Sequence, residues 1–392
     1  MKKNFYVQKC TDYNLDIIIK IIEKGLENIF VDPFFLALEK KEIHDSEPLK
    51  ILIKPNLLAP RRPKDAVTTH PLIFEGLIIA LKNFIGKHLP SENNSPVKIY
   101  AGDSPGLGKG IKAAEKCGLL DVCRKHDIQF ADFDHALDIS VKKPRACSQF
   151  TVAKAAAEAD IIINMPKMKT HSQTIFTGAV KNMFGIVPGT KKAAMHFRFR
   201  DINLFGAMLA DLNKTFKPAI SIMDAVISME GPGPGAGTPV NTGFIAISSD
   251  QVLLDTFCCS LIGIDPLKVE VLVQAQKAGL GIFFPKQIIT NEYAHLMFPG
   301  FKVPKTRYSI LRVIPVWPFI SDFVSGLIIK KPVINKKKCI QCNECYNICP
   351  AKPKAIEKNK KAFKVINKLC ISCYCCHEVC PEKAIDLKRP LF

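Results

Sequence analysis

The chain has 392 residues, 47% of them hydrophobic, which is the composition of a globular protein with a sizeable core and more than one domain. Its formal net charge of +19 is spread along the sequence, largely on lysine, rather than gathered into an Arg-rich, aromatic-interleaved patch. That pattern argues against a nucleic-acid binder and for a solvated surface able to attract acidic partners. Fifteen cysteines, and an N-terminal stretch (MKKNFYVQKCTDYN) without an apolar h-region, point to a reducing cytoplasm rather than to secretion.

Taken in order, Ile18, Ile21, Ile22, Leu26 and Ile29 recur at helical spacing and predict an amphipathic helix over Leu15–Ile29. Residues 49–53 read as a buried strand running into Lys54-Pro55-Asn56, and Pro71 opens a helix to about residue 86. A second strand, Val97–Ala101, leads into Gly102-Asp103-Ser104-Pro105-Gly106, and a helix follows over Gly110–Lys116. Residues 128–131 form a third expected strand, 151–159 an Ala-rich helix, and 160–163 a fourth strand running into a polar segment. Residues 219–223 and 242–248 are the fifth and sixth strands, and Asp250 caps a helix reaching Ile262. Strand, polar loop and helix at this interval predict an α/β fold: a mostly parallel sheet with helices on both faces. Ligands of such folds bind beyond the carboxyl ends of the strands.

The polar segment 164–189, NMPKMKTHSQTIFTGAVKNMFGIVPG, is the richest in candidate chemistry. Lys167, Lys169, His171 and Lys181, with Thr170, Thr174, Thr177 and Asn182 and then His196 and Arg198, suit an anionic ligand on a loop at a strand end. A solvated basic loop is the plainer reading. His171 is the expected proton donor, assisted by Lys167 and Lys169. Lys54, Asn56, Asp103, Lys181 and Asn182 are the expected substrate-binding set. The 102–106 segment could hold an anion on backbone N–H groups or a metal on Asp103, or be a plain turn, but it lacks the phosphate-loop pattern. Asp224 and Glu230 are candidate carboxylates, with a cap or an exposed loop equally open. Gly231, Gly233, Gly235 and Gly237 do not fit a dinucleotide fingerprint, and Cys258-Cys259 fits core packing.

The segments IKPN, AGDSPG, INMPKMKTHSQTIFTGAVKNMFGIVPG, MDAVISMEGPGPGAGTP and SSDQVLLDTFCCSLIG resemble domain-of-unknown-function family 362 over about residues 50–280. The resemblance implies the architecture, and often a C-terminal ferredoxin domain, but no settled reaction. The apolar stretch 308–329 is interrupted by Arg312, Pro315, Pro318 and Asp322, which argues against a membrane span. We expect a linker there, with an interfacial segment carrying Trp317, Phe319 and Phe323 as the weaker alternative.

Near the C-terminus, Cys339, Cys342, Cys345 and Cys349 run C-x2-C-x2-C-x3-C before Pro350, and Cys370, Cys373, Cys376 and Cys380 repeat the run before Pro381. The pattern resembles two-cluster bacterial ferredoxins over about residues 332–392, in which the fourth Cys of each run ligates the other cluster. Carried over, Cys339, Cys342, Cys345 and Cys380 hold one [4Fe-4S] cluster, and Cys370, Cys373, Cys376 and Cys349 the second. A zinc ribbon does not explain triplet spacing plus Cys-Pro twice, and disulfides need an oxidising compartment. Two oxidised clusters with their thiolates carry about −2 each, leaving the loaded chain near +15. Cys375 departs from the pattern and is expected to pack rather than ligate. The first Cys-Pro is followed by two additional residues, which should only lengthen a loop. Ala355-Ile356 and Ala384-Ile385 can each cover a cluster.

The expected organisation is an α/β domain over 1–305, an apolar linker over 306–331 and a ferredoxin-like α+β domain over 332–392. The expected function is an iron–sulfur oxidoreductase that passes electrons to a small anionic substrate or cofactor in the α/β domain. The alternative is an electron carrier that docks a redox partner protein and transforms no substrate.

Overall fold

The computed structural model describes residues 4–44, 47–89, 97–283, 291–304, 330–359 and 362–388. Most of the expected linker, 306–329, with Trp317, Phe319 and Phe323, lies outside the described residues. The first domain is built on a sheet of β1 (Phe5–Lys9), β2 (Leu49–Lys54), β3 (Val97–Ala101) and β4 (Gln129–Phe130), with a hairpin of β5 (Ala136–Ser140) and β6 (Gln149–Ala153) standing apart. The main sheet is completed by β7 (Ile161–Asn164), β8 (Lys167–His171), β9 (Ile175–Thr177), β10 (Ile220–Glu230) and β11 (Thr238–Ser248). Strand order is β1-β11-β10-β7-β2-β3-β4, parallel from β10 to β4 and antiparallel at β11 and β1.

Alternation along the central strands assigns the two faces. Ile51, Ile53, Ile161 and Ile163 bury under the helices Leu15–Ile29 and Pro71–His88, while Leu52 and Ile162 join the opposite core with the helices Ile202–Thr215 and Gln251–Leu261. The helix Leu15–Ile29 starts where the Asn14 side chain accepts from Ile17 N at 3.1 Å. Each isoleucine it buries contributes about 1.5–3 kcal/mol, well above the helix-propensity cost of a β-branched residue.

Two expectations are corrected. Residues 151–159 are not one helix: Phe150 and Val152 bury alternately in β6, which pairs with β5, and only Lys154–Ala157 is helical. Pairing of the β-branched and aromatic residues overrides the alanine propensity. Residues 164–189 are also not a loop. Pro166 interrupts the strand after β7, and the chain resumes as β8 beside the outer half of β10 before folding back into β9. All five residues of β8 are buried. The sheet therefore grows past the carboxyl ends of its parallel strands and walls in the space above them.

The C-terminal segment repeats one unit twice. β12 (Lys331–Ile334) pairs with β15 (Ile385–Lys388), and β13 (Ile356–Asn359) with β14 (Ala362–Val365). Between these strands the short helices Glu344–Ile348 and Cys375–Val379 pack together, with Phe363 and Ile385 in one small core. This unit sits on the carboxyl edge of the large sheet. Arg61 donates Nη1 to Pro381 O at 2.7 Å and Nη2 to Cys380 O. His377 Nε2 lies 3.1 Å from Pro232 O, and Lys383 Nζ donates to Gly237 O at 3.3 Å.

Candidate functional site between the two domains

β2 and β3 are adjacent and parallel, so Lys54 at the end of one meets Asp103 just beyond the other. Lys54 Nζ stands 2.8 Å from Asp103 Oδ1, both groups buried, and Asp103 Oδ2 accepts from Leu57 N at 2.7 Å. Gly185 leaves room for this pair, since a Cβ there would overlap the Asp103 carboxylate. Asp103 is thereby committed to a lysine rather than to a metal. The N–H groups of Ser104 and Gly106 donate to Gly185 O and Leu58 O, so the 102–106 segment offers neither to an anion.

Lys169 on β8 points back over the same edge. Its Nζ donates to Asn56 Oδ1 and Val67 O, each at 2.6 Å. Asn56 Nδ2 donates to Asn182 Oδ1, and Asn182 Nδ2 to Asn164 Oδ1, both at 2.7 Å, a buried amide chain that fixes all three side chains. Lys181 precedes Asn182 on the turn of helix Ala179–Asn182. Lys192, on helix Gly189–Arg198, donates to Ser104 O at 2.6 Å and Pro105 O at 3.0 Å.

These groups face a small cavity of about 70 Å³ at the domain boundary. Lys169, Lys181, Lys192, Asp103, Thr177 and His196 line it from the α/β domain, and Ile348, Cys375, Glu378 and Val379 close it from the cluster-bearing domain. Burial depresses all three lysines. Lys169 falls well below the usual range with Lys181 and Lys167 adding repulsion, Lys181 falls against the pull of Glu378, and Lys192 falls to about 7. His196 is pushed down to about 3 by burial and stacks on Phe205 with ring centroids 4.7 Å apart.

The expected site residues thus divide. Asn56, Asp103, Lys169, Lys181 and Asn182 meet at the cavity, and Lys54 stands behind it on Asp103. Lys167 does not reach it: its Nζ is held by Asp224 Oδ2 at 2.9 Å and Tyr13 Oη at 2.8 Å. Asp224 is spent on that pair, and Glu230 accepts from Lys302 N at 2.8 Å. Arg198 is exposed, its guanidinium over Phe199.

His171 is fully buried and stands behind Glu378 rather than among the residues that line the cavity. The N–H groups of Gln173 and Thr174 donate to its Nδ1 at 3.0 and 3.3 Å, so the ring proton sits on Nε2, which faces Glu378 Oε1 at 3.3 Å. Burial and Lys181 push its pKa down to about 4, against the pull of Glu378.

Sequence reasoning missed Lys192 and Glu378, named Ser104 only within the 102–106 segment, and took Cys375 for a packing residue without placing it at a cavity. The internal repeat carried a signal for Glu378 and Cys375: Glu378 aligns with Asn347 and Cys375 with Glu344, so the halves differ where the second one meets the cavity.

The cysteines fit iron–sulfur ligation on two observations. Cys339, Cys342 and Cys345 of the first run and Cys380 of the second line one small pocket, with Ile334, Phe363, Ala384 and Ile385 as its apolar walls. Ala384 N donates to Cys380 Sγ at 3.2 Å. In addition, Gln341 and Asn343 take φ of 55° and 66°, and Ser372 and Tyr374 at the matching positions take 57° and 62°. A left-handed tyrosine is costly, and the recurrence of positive φ at repeat-related positions shows a cysteine-rich loop wound the same way twice.

An α/β domain joined to a 4Fe-4S dicluster domain, matched by its family model over residues 332–387, defines an iron–sulfur protein of the electron-transfer class. More particularly, the chain belongs to the family described as domain of unknown function (DUF362), whose model matches residues 51–260. A thylakoid-associated protein of Synechocystis sp. (strain ATCC 27184 / PCC 6803 / Kazusa) is 32% identical over 235 residues, which are 59% of this chain and 68% of that protein. Among solved structures, the lactate racemase apoprotein from Thermoanaerobacterium thermosaccharolyticum has a TM-score of 0.40 at 16% identity, covering 66% of this chain and 57% of that one. A Thermotoga maritima protein has a TM-score of 0.36 at 10% identity, covering 69% and 60%. The chain thus spans less than two thirds of either solved protein. Among the described residues no helix is long and apolar enough to cross a membrane.

Proposed function

We propose that the protein is a cytoplasmic iron–sulfur oxidoreductase whose C-terminal domain, 332–392, exchanges electrons with a small anion held at the boundary of the 1–305 domain. In this reading residues 306–331 link the two. Cys339, Cys342, Cys345 and Cys380 hold one [4Fe-4S] cluster and Cys370, Cys373, Cys376 and Cys349 the other. Bound clusters supply and accept single electrons. The α/β domain binds and orients the second redox party: Lys169, Lys181 and Lys192 neutralise it, while Asn56, Asn182 and Thr177 offer it hydrogen bonds.

One observation carries this reading. Lys169, Lys181 and Lys192 line a cavity, and among the described residues none has a carboxylate at ion-pair distance; the opposite wall is the helix Cys375–Val379, which runs between second-run cysteines. Buried lysines that outnumber the carboxylates around them are stabilised in their charged form by an anionic occupant.

The test is anaerobic. Reduced holo protein is mixed with fractionated small molecules and its reoxidation followed by absorbance, with Lys169→Ala and Lys181→Ala in parallel. We expect an anion that reoxidises the wild type and acts about tenfold or more slowly on each variant, the loss of one charge-assisted contact. Reoxidation by protein acceptors alone, equal in the variants, would establish a carrier instead. The exposure of Ile340 (61%) and Cys342 in the first run is the feature that suits such a docked partner.

A further inference from the structure

The groups that line the cavity differ in what already holds them. Lys169 and Lys192 each donate to two uncharged oxygens. Asp103 Oδ1 faces Lys54 Nζ at 2.8 Å, and Glu378 Oε1 faces His171 Nε2 at 3.3 Å. Three groups able to donate are left over. Lys181 makes no hydrogen bond or ion pair among the described residues. Thr177 Oγ1 and His196 Nδ1 have no hydrogen-bond partner among the described residues either, and each of these two residues is only 4% exposed. Buried polar atoms are rarely left unpaired, because desolvation without a partner is costly. Thr177 closes β9, Lys181 sits on helix Ala179–Asn182 and His196 on helix Gly189–Arg198, so the three arrive on separate elements. The space they share is small: about 70 Å³ takes about five water-sized groups. A flavin or a nucleotide does not fit into it whole.

We propose that the cavity binds a compact inorganic oxyanion, with its oxygens on one central atom, and that Lys181, Thr177 and His196 are the groups that touch it. This rests on the anion reading above and adds the class of the ligand and its direct contacts. Lys181 brings a charged donor, Thr177 a hydroxyl, and His196 a ring N–H when its proton sits on Nδ1. An anion of the nitrate or sulfate kind has an oxygen for each of them. A carboxylate must share two oxygens among donors from three elements, and it turns its carbon substituent into the little space that remains. Lys169 and Lys192, each held by two acceptors, act on the ligand by charge from fixed positions.

Isothermal titration of the anaerobic holo protein, with its clusters oxidised so that no probe is consumed, tests this. The probes are sulfate, nitrate, acetate and benzenesulfonate. Nitrate and acetate have the same charge and the same number of heavy atoms, and differ in an oxygen against a methyl group. Benzenesulfonate keeps the oxygens but adds a ring. We expect sulfate and nitrate to bind at least about tenfold more tightly than acetate or benzenesulfonate, the worth of one charge-assisted contact. Thr177→Val, which removes the hydroxyl and keeps the shape, and Lys181→Met should each weaken sulfate at least about tenfold. An unpartnered buried hydroxyl costs stability, so Thr177→Val without anion should melt no lower than the wild type, and sulfate should raise its Tm less. Acetate or benzenesulfonate binding as tightly as nitrate overturns the compact oxyanion and leaves the anion reading standing. Wild-type sulfate affinity in Thr177→Val with a lowered Tm means that the hydroxyl serves the fold, and overturns the contact assignment. Failure of every probe to bind sinks the anion reading and this inference together. The wild-type series decides the class of ligand even if neither variant folds.

Discussion

Cys375 and Cys376 are neighbouring thiols with different surroundings. Cys376 continues the triplet spacing of Cys370 and Cys373, and Cys370, Cys373 and Cys349 all act on its thiol. Cys375 opens the short helix, is 5% exposed and lines the cavity between the domains, while its thiol hydrogen-bonds Cys373. A ligand and a packing residue respond differently to the same change. Cys375→Ser should retain the full complement of about eight irons, whereas Cys380→Ser should lose roughly four. Anaerobic iron and sulfide analysis reads both. Half the iron lost from Cys375→Ser, with Cys380→Ser intact, would mean that the ligand set assigned by spacing is wrong.

At the scale of elements, the turn that presents Lys181 is held by a group that never touches the cavity. Asp255, on helix Gln251–Leu261, accepts from Ala179 N at 2.6 Å and Val180 N at 3.0 Å, which satisfies the first amides of helix Ala179–Asn182. Gly178 makes the approach possible, because a Cβ there would overlap the Asp255 carboxylate. Asp255→Ala strands two buried donors at about 1–3 kcal/mol each. Hydrogen exchange at Ala179 and Val180 should quicken at least about tenfold, and sulfate should bind more weakly, although Asp255 lies outside the site. Unchanged exchange would show that the turn is held by its other contacts. The same elements mark what was legible in the sequence. Leu15–Ile29, Val97–Ala101 and Gly110–Lys116 lie where periodicity, caps and flanking glycines place them, since those signals are local. β8 was not legible as a strand, because lysine and histidine at alternate positions read as solvated loop. Their burial is decided by Asn56, Asp224 and Glu378, at distant places in the chain. Pattern reasoning gathered Asn56, Asp103, Lys169, Lys181 and Asn182, which meet at the cavity, together with Lys54, Lys167 and His171, which do not line it, and could not see Lys192, whose partners are the carbonyls of Ser104 and Pro105.

On the scale of the molecule, neither domain contains the site alone. The lysines belong to the sheet edge, and the wall that closes over them belongs to the cysteine-rich repeat. The closeness of that contact is set by backbone at residues 231–237, where a Cβ on Gly235 would come within 2.5 Å of Glu378 O. Arg61 is the side chain best placed to hold the two together, since its guanidinium caps the carbonyls of Cys380 and Pro381, where the short helix ends. Its removal leaves those carbonyls without their donor but takes no ligand from the cysteines. Arg61→Ala should therefore keep its iron, exchange amide hydrogens faster across 231–237 and across helix Cys375–Val379, and bind sulfate about tenfold or more weakly. Iron lost with exchange unchanged would mean that Arg61 serves the ligand loops. Faster exchange with full iron and wild-type sulfate affinity would mean that the lysine edge binds the anion without the second domain closed over it, and the boundary would cease to be the site.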